Sequence, residues 1–486
     1  MKSILRVLFL IIGITFSANA QSIVSSEYLE SRSQAFLTAN FFSNFLNGVD
    51  MYRVLYTTTD IHGVPDTASG LLIVPDREEF IYPLLCYQHG TVNSRWDVPS
   101  ELAGGYELAM ALSGKGYAVI APDFLGLGEA RGIHPYVHAE TEARAAIDML
   151  FAARQFADEN DFLTINDQLF ITGYSQGGHA AMAAHKYIQE DYPNDFTVTA
   201  SAPMSGPYSI SEKMIDFTLN DEEYFFVSYI VWTSLSYNLE DELFTDVNEI
   251  FKDPYVPYVE QFANEEITLG ELGGFLTSTL IAENGAGQVK PKLMLQDSIL
   301  DAILTNPDHP FSKALAKNDL IDWVPTAPTR LFGCAGDDQV TYENAIYCSQ
   351  LMNDNGAADV ATENLGDDND HGQCVFPATL ATAAFFEQYQ SIDFVESTRN
   401  IISEHALVSI QPNPTNDFIN VQLSEYAQPG TTYDLRLFNI NGKLLNQTQL
   451  SGDTILSVPT AGFEAGVYLL QVIGEEGIYT QKVVVE

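Results

Sequence analysis

Residues 167–185 read DQLFITGYSQGGHAAMAAH. Leu169, Phe170, Ile171 and Thr172 make a short apolar, partly β-branched run, the pattern of a buried strand. Ala180 to His185 is alanine-rich and prefers helix. Between them Gly173-Tyr174-Ser175-Gln176-Gly177 places a serine between two glycines where a strand turns into a helix. Five residues of this kind arise often by chance, so the meaning of the motif rests on what surrounds it.

From about residue 50 to 400 apolar strands alternate with helices. The pattern predicts strands at 52–58, 70–74, 84–87, 118–122, 168–172, 198–202 and 330–333, with helices at 142–157 and 343–351. Such alternation predicts an α/β fold with a mostly parallel central sheet and helices on both faces. From about Ser209 to Asp322 strand patterning fades, and aromatic-rich, helix-like sequence such as YFFVSYIVWTSLSYN (224–238) takes over. This segment reads as an insertion capping the main fold. After about residue 400 the texture alternates apolar and polar residues between Asn-Gly and Gly-Glu-Glu-Gly turns, which predicts a small antiparallel β-sandwich.

Composition limits the function classes. The chain has 486 residues, 22 Lys and Arg against 65 Asp and Glu, and a net charge of −43. Such a field repels nucleic acid and anionic lipid, and no basic stripe offsets it. Residues 1–20 have a basic start, an apolar run from Val7 to Phe16 and Ala18-Asn19-Ala20 before Gln21, the form of a secretory signal peptide. The apolar run is short for a membrane span, and no cysteine follows the cut, so the mature protein is expected to carry no integral membrane segment. Cys86, Cys334, Cys348 and Cys374 would then meet an oxidising compartment, where they allow two disulfides in three pairings, one bridge, or buried thiols. None has the paired spacing of a zinc site.

A serine hydroxyl becomes a nucleophile only with a base in reach and a third group to orient that base. His179 and His185 lie on the helix running away beneath Ser175, on the wrong side for a base. His62, His134, His138 and His309 fall before the last strand or in the insertion, and His405 in a linker. His371 stands in GDDNDHGQCVFPATLATAAFF, an acidic, glycine-containing loop leading into a helix, as a base on the rim of a sheet does. The acid should follow an intervening strand, and TRLFGCAGDDQVTYENA (329–345) offers Asp337, three residues before Val340, with Asp338 as its competitor. The order Ser175, Asp337, His371 is that of nucleophile-elbow hydrolases. Donors for an oxyanion are expected from the backbone N–H of Gln176 and from that of Thr91, at the end of LLCYQHGTVNSRW (84–96). The run DDND at 367–370 lacks the ligand spacing of a calcium loop and reads as a solvated acidic loop.

Taken together, Gln88-His89-Gly90-Thr91, Ala121-Pro122-Asp123-Phe124-Leu125-Gly126-Leu127-Gly128, Gly173-Tyr174-Ser175-Gln176-Gly177-Gly178 and Asp370-His371-Gly372 resemble an α/β-hydrolase of the secretory lipase and carboxylesterase type over residues 45–390. The resemblance implies ester hydrolysis through an acyl-enzyme with no metal or cofactor, and a structural role for Asp123. The tail is similar to the C-terminal sorting domain of the type IX secretion route of Bacteroidetes, on Pro412-Asn413-Pro414, Leu437-Phe438-Asn439-Ile440-Asn441-Gly442-Lys443 and Ala465-Gly466-Val467-Tyr468. It implies secretion machinery as a partner and a secreted or cell-surface location; a carbohydrate-binding or immunoglobulin-like module is the alternative. The expected organisation is a signal peptide at 1–20, a hydrolase domain at 21–400 with its cap at 209–322, and the sorting domain at 406–486. Residues around Tyr224–Tyr237 either line an acyl or aryl pocket or pack the core of the cap. A prolyl-type serine peptidase and a non-catalytic binding protein on the same scaffold are the competing functions.

Overall fold

A computed structural model of the chain describes residues 22–41, 44–395, 408–423, 431–440, 442–451, 455–474 and 477–485. The leader at 1–20 and His405 lie outside the described residues. The chain divides into two compact units, residues 1–395 and 396–486.

The large unit is built on one sheet whose order is β1-β2-β3-β5-β4-β6-β7-β8-β9. Its strands are β1 (Ile23–Arg32), β2 (Val49–Thr59), β3 (Pro65–Pro75), β4 (Phe80–Gln88), β5 (Ala118–Pro122), β6 (Thr164–Tyr174), β7 (Val198–Met204), β8 (Thr329–Gly333) and β9 (Val360–Asn364). The first three strands pair antiparallel, and β5, β4, β6, β7, β8 and β9 pair parallel in that order. All seven expected strands are present. The edge strands β1 and β9 were not apparent in the pattern, because their residues are largely exposed and polar. An edge strand buries at most one face, so it lacks the apolar run that marks a central one.

Period-two alternation divides the central strands between two cores. On β4, Leu84 and Cys86 enter one cluster and Leu85 and Tyr87 the other; on β5, Ala118 and Ile120 part from Val119 and Ala121 in the same way. One face is covered by α1 (Gln34–Phe41), α2 (Tyr106–Gly114) and the C-terminal helix 371–386, the other by α3 (Ala139–Glu159), α4 (Gln176–Asp191) and the helix 342–354.

Between β7 and β8 the chain leaves the sheet, as the fading strand pattern predicted. It forms a π-turn at 210–214 and then α5 (Ile215–Thr218), α6 (Val227–Asp241), α7 (Val256–Ala263), α8 (Leu269–Asn284), α9 (Asp297–Thr305) and α10 (Pro310–Lys317). The chain then returns through β8, α11 (Tyr342–Asp354), β9 and α12 (His371–Phe386). The fold is α/β, with a helical cap over the C-terminal ends of the parallel strands, where open α/β sheets hold their sites.

The small unit is an antiparallel sandwich of a three-stranded sheet (408–411, 418–423, 455–459) and a four-stranded sheet (444–451, 432–439, 466–474, 477–485). Its core joins Val408, Ile419 and Val421 of one sheet to Leu435, Leu437 and Leu470 of the other.

Candidate active site

Ser175 sits between β6 and α4 with φ 62° and ψ −123°, a backbone conformation that side chains rarely accept. The glycines around it are what allow this conformation. A Cβ on Gly173 would stand 2.3 Å from the Gly177 carbonyl oxygen, and one on Gly177 2.0 Å from that of Gln88. The turn can therefore be this tight only if both flanking positions lack a side chain. Gly178 is equally confined, against the carbonyl of Met204.

His371 is the first residue of α12, whose N-cap Asp370 accepts the Gln373 N–H in a capping box. Its Nδ1 donates to Asp337 Oδ2 at 2.7 Å and faces Oδ1 at 2.9 Å. Asp337 Oδ1 also accepts from the Gln339 and Val340 N–H groups, at 3.0 and 2.9 Å. Residues 337 and 371 are both buried. Asp338 is turned elsewhere, its Oδ1 accepting the His371 backbone N–H at 3.2 Å. Of the two adjacent acids, Asp337 faces the imidazole.

Tyr174 ties the elbow to this pair. Its hydroxyl donates to the His371 carbonyl at 2.6 Å, and the two rings lie 4.9 Å apart. Among the described residues no hydrogen bond joins Ser175 Oγ to His371 Nε2; in substrate-free hydrolases that contact is often long and tightens on binding.

Gly90 packs against the elbow, its missing Cβ 3.8 Å from Ser175 Cβ, and Thr91 is the next residue along the chain. Thr91 Oγ1 bonds the Tyr136 hydroxyl at 2.8 Å. Gln176 is the first residue of α4, where backbone N–H groups have no helical acceptor. Asp123 is fully buried, accepts from Ser69 Oγ at 2.6 Å and Ser100 N at 2.9 Å, and fixes the loop after β5. Burial pushes its carboxyl above the usual range.

A disulfide joins Cys334 to Cys374, while Cys86 and Cys348 are free and buried. Cys334 precedes Asp337 by three residues, and Cys374 follows His371 by three. The bridge thus pins the loop that carries Asp337 to the helix that begins with His371.

An apolar cavity opens beside Ser175 and Gln176 and extends under the cap among Met214, Leu219, Ile303 and Leu315. The aromatic segment divides its labour: Tyr224, Tyr229 and Ile230 line the cavity, whereas Leu235 and Tyr237 are buried in the apolar cluster that the cap shares with one face of the sheet, the Tyr237 hydroxyl donating to the Val137 carbonyl at 3.0 Å. Thr91 lines a second, more open cleft with Phe225, Ser228 and Gly273.

Sequence reasoning missed the polar cluster below the elbow. His134, set aside as a base, meets the Gln176 side chain, and Glu142, read only as a helix residue, meets both Gln176 and His179. The available signal was an acid on the apolar face of α3, in line with Ala146 and Met149.

The large unit has the α/β-hydrolase fold, and solved structures similar to it include esterases and a lipase. The rice cell wall degrading esterase LipA of Xanthomonas oryzae, in a single-site mutant, is 28% identical with a TM-score of 0.68, covering 76% of this chain and 98% of its own. A Legionella pneumophila protein, lpg1103, gives 27% and 0.68 over the same shares. Candida antarctica lipase A in its closed state shares the fold alone, at 12% identity and TM-score 0.57, over 76% of this chain and 82% of that one. No curated protein sequence matches the chain. Residues 409–486 match the secretion system C-terminal sorting domain. The tail is thus a sorting domain of the type IX route, which directs export across the outer membrane to the surface or beyond. No helix among the described residues is long and apolar enough to cross a membrane.

Proposed function

We propose that the protein is an exported carboxylic-ester hydrolase in which Ser175 is the nucleophile, His371 the base and Asp337 the orienting acid. The buried, two-oxygen contact of Asp337 with His371 Nδ1, at the rim that carries the strained Ser175, is the observation that supports this reading best. With Nδ1–H given to Asp337, Nε2 is left as the proton acceptor. Ser175 Oγ attacks the ester carbonyl while its proton passes to His371 Nε2. The oxyanion is received by the Gln176 and Thr91 N–H groups, and removing one such donor typically slows turnover about 10²–10³-fold. The tetrahedral intermediate expels the alcohol, protonated by His371, and leaves an acyl-serine. Water, deprotonated by the same imidazole, repeats the sequence and frees the acid.

The apolar cavity under the cap suits an acyl chain, and the open cleft past Thr91 suits the departing alcohol. The test is hydrolysis of p-nitrophenyl esters of increasing chain length beside prolyl amides, with Ser175→Ala as control. Ester turnover abolished by Ser175→Ala is expected. Turnover that survives it removes the nucleophile, and turnover of prolyl amides alone selects the peptidase.

A further inference from the structure

Two buried ionisable side chains lie directly under the nucleophile elbow and take no part in the proton transfers above. Glu142, on the first turn of α3, and His179, on the first turn of α4, have side chains with no exposed surface. Glu142 Oε1 accepts from Gln176 Nε2 at 2.9 Å, and Oε2 meets His179 Nδ1 at 2.7 Å. One carboxylate therefore grips positions 176 and 179, three residues apart on one helical turn. His179 Nε2–H donates to the Asn318 carbonyl at 3.0 Å, where the cap returns to the sheet domain. The Gln176 amide is held from a second side by His134 Nε2 at 2.7 Å, an acceptor because Nδ1–H is given to Leu125 O. Burial holds His134 down to about 3, which keeps that ring neutral and accepting.

We infer that Glu142 and His179 are positioning residues of the esterase site: they clamp the first turn of α4 and so hold the Gln176 N–H on the developing oxyanion. The inference rests on the oxyanion role proposed for Gln176. The chemistry of the pair fits this task. A lone carboxylate below the oxyanion would oppose the charge that forms there, and burying it unpaired is costly. Facing the imidazole of His179 on one side and the Gln176 amide on the other, the carboxyl has a hydrogen-bond partner for each of its oxygens. The arrangement also predicts its own rescue. In Glu142→Gln the new amide accepts from Gln176 Nε2 through Oε1 and donates through Nε2 to His179 Nδ1, so every hydrogen bond survives. Glu142→Ala removes both grips.

The experiment measures p-nitrophenyl butyrate hydrolysis by the full chain, with sites counted by a fluorophosphonate end point. Glu142→Ala is expected to lower kcat per titrated site about 10–10²-fold, with KM little changed, since small misplacements of an oxyanion donor cost this much. Glu142→Gln should restore it. If Glu142→Ala does not fold, Gln176→Leu cuts the same tether from the other end and must show the same loss. Three results overturn the inference: wild-type kcat per site in the folded Ala variant, fewer titratable sites with kcat per site intact, or Glu142→Gln falling as far as Ala. An inactive Ser175→Ala beside any of these leaves the esterase reading standing, whereas an active one removes that reading itself.

Discussion

Replacing Cys334 and Cys374 together with alanine tests how much of the site's frame depends on their bridge. The disulfide closes a segment with a sequence separation of 40 residues. Removing the restraint that such a loop places on the unfolded chain costs about 4 kcal/mol on the chain-entropy relation. For a unit that ends at Val395, with an unfolding entropy of about 0.8 kcal/mol/K, that loss lowers Tm by about 5 °C. Activity should suffer less than stability, because other contacts keep the two loops in register: Ala335 N–H donates to Gly366 O at 3.1 Å, and His371 N–H to Asp338 at 3.2 Å. Melting curves of the two proteins, and of the parent with dithiothreitol, measure the shift. Thiol counting adds an independent check, since the parent denatured without reductant should expose two thiols, from Cys86 and Cys348. An unchanged Tm, or a count of zero or four thiols, refutes the reasoning.

Four further outcomes are expected. Asp337→Asn should cut turnover by about 10⁴, through loss of the imidazole's tautomer and orientation, while Asp338→Asn keeps an acceptor for the His371 N–H and most activity; equal losses in steady-state assays would refute the assignment. Leu219→Trp should block the cavity, sparing acetate esters and suppressing those of long acids; a parallel fall across the chain-length series would show that the acyl group lies elsewhere. Gly177→Ala forces a Cβ to 2.0 Å from the Gln88 carbonyl and should cost about 3 kcal/mol or more, seen as lost soluble yield; a well-folded, active variant would contradict the packing of the elbow. His185, fully buried with neither ring nitrogen hydrogen-bonded among the described residues, is held down to about 3 by burial. Its contribution to stability is complete above about pH 6.5 and is lost as pH falls toward 3, about 2 kcal/mol of it by pH 5; His185→Leu should flatten that limb of the denaturation midpoint, and an unchanged slope would refute it.

The central strands were legible because burial on both faces forces continuous apolar runs, and the insertion was legible because those runs stop. β1 and β9 were not, since a strand such as Val360–Asn364, with a largely exposed surface, shows no apolar period. The disulfide pairing was closed to sequence as well. Four cysteines carry no record of which of them meet until β8 and α12 set Cys334 and Cys374 at a Cα separation of 5.9 Å.

At the site, legibility followed steric necessity. The glycines at 173 and 177 read clearly because any other residue collides with backbone there, so the motif and the strained serine require one another. Asp337 was preferred to Asp338 only on its spacing from Val340, because neighbours in a loop have the same composition and differ only in direction. Only the fold turns one carboxylate to the ring and the other to the backbone N–H. Glu142 was hidden for a related reason. On a helix whose face packs against the sheet, a lone acid is visible as an exception, but its partners Gln176 and His179 come from another helix and a parallel crossover away. Groups that bond to substrate leave local motifs, because chemistry constrains their own segment. Groups that hold those residues in place act across the fold, and their signature is a buried charge whose partner only the tertiary structure supplies.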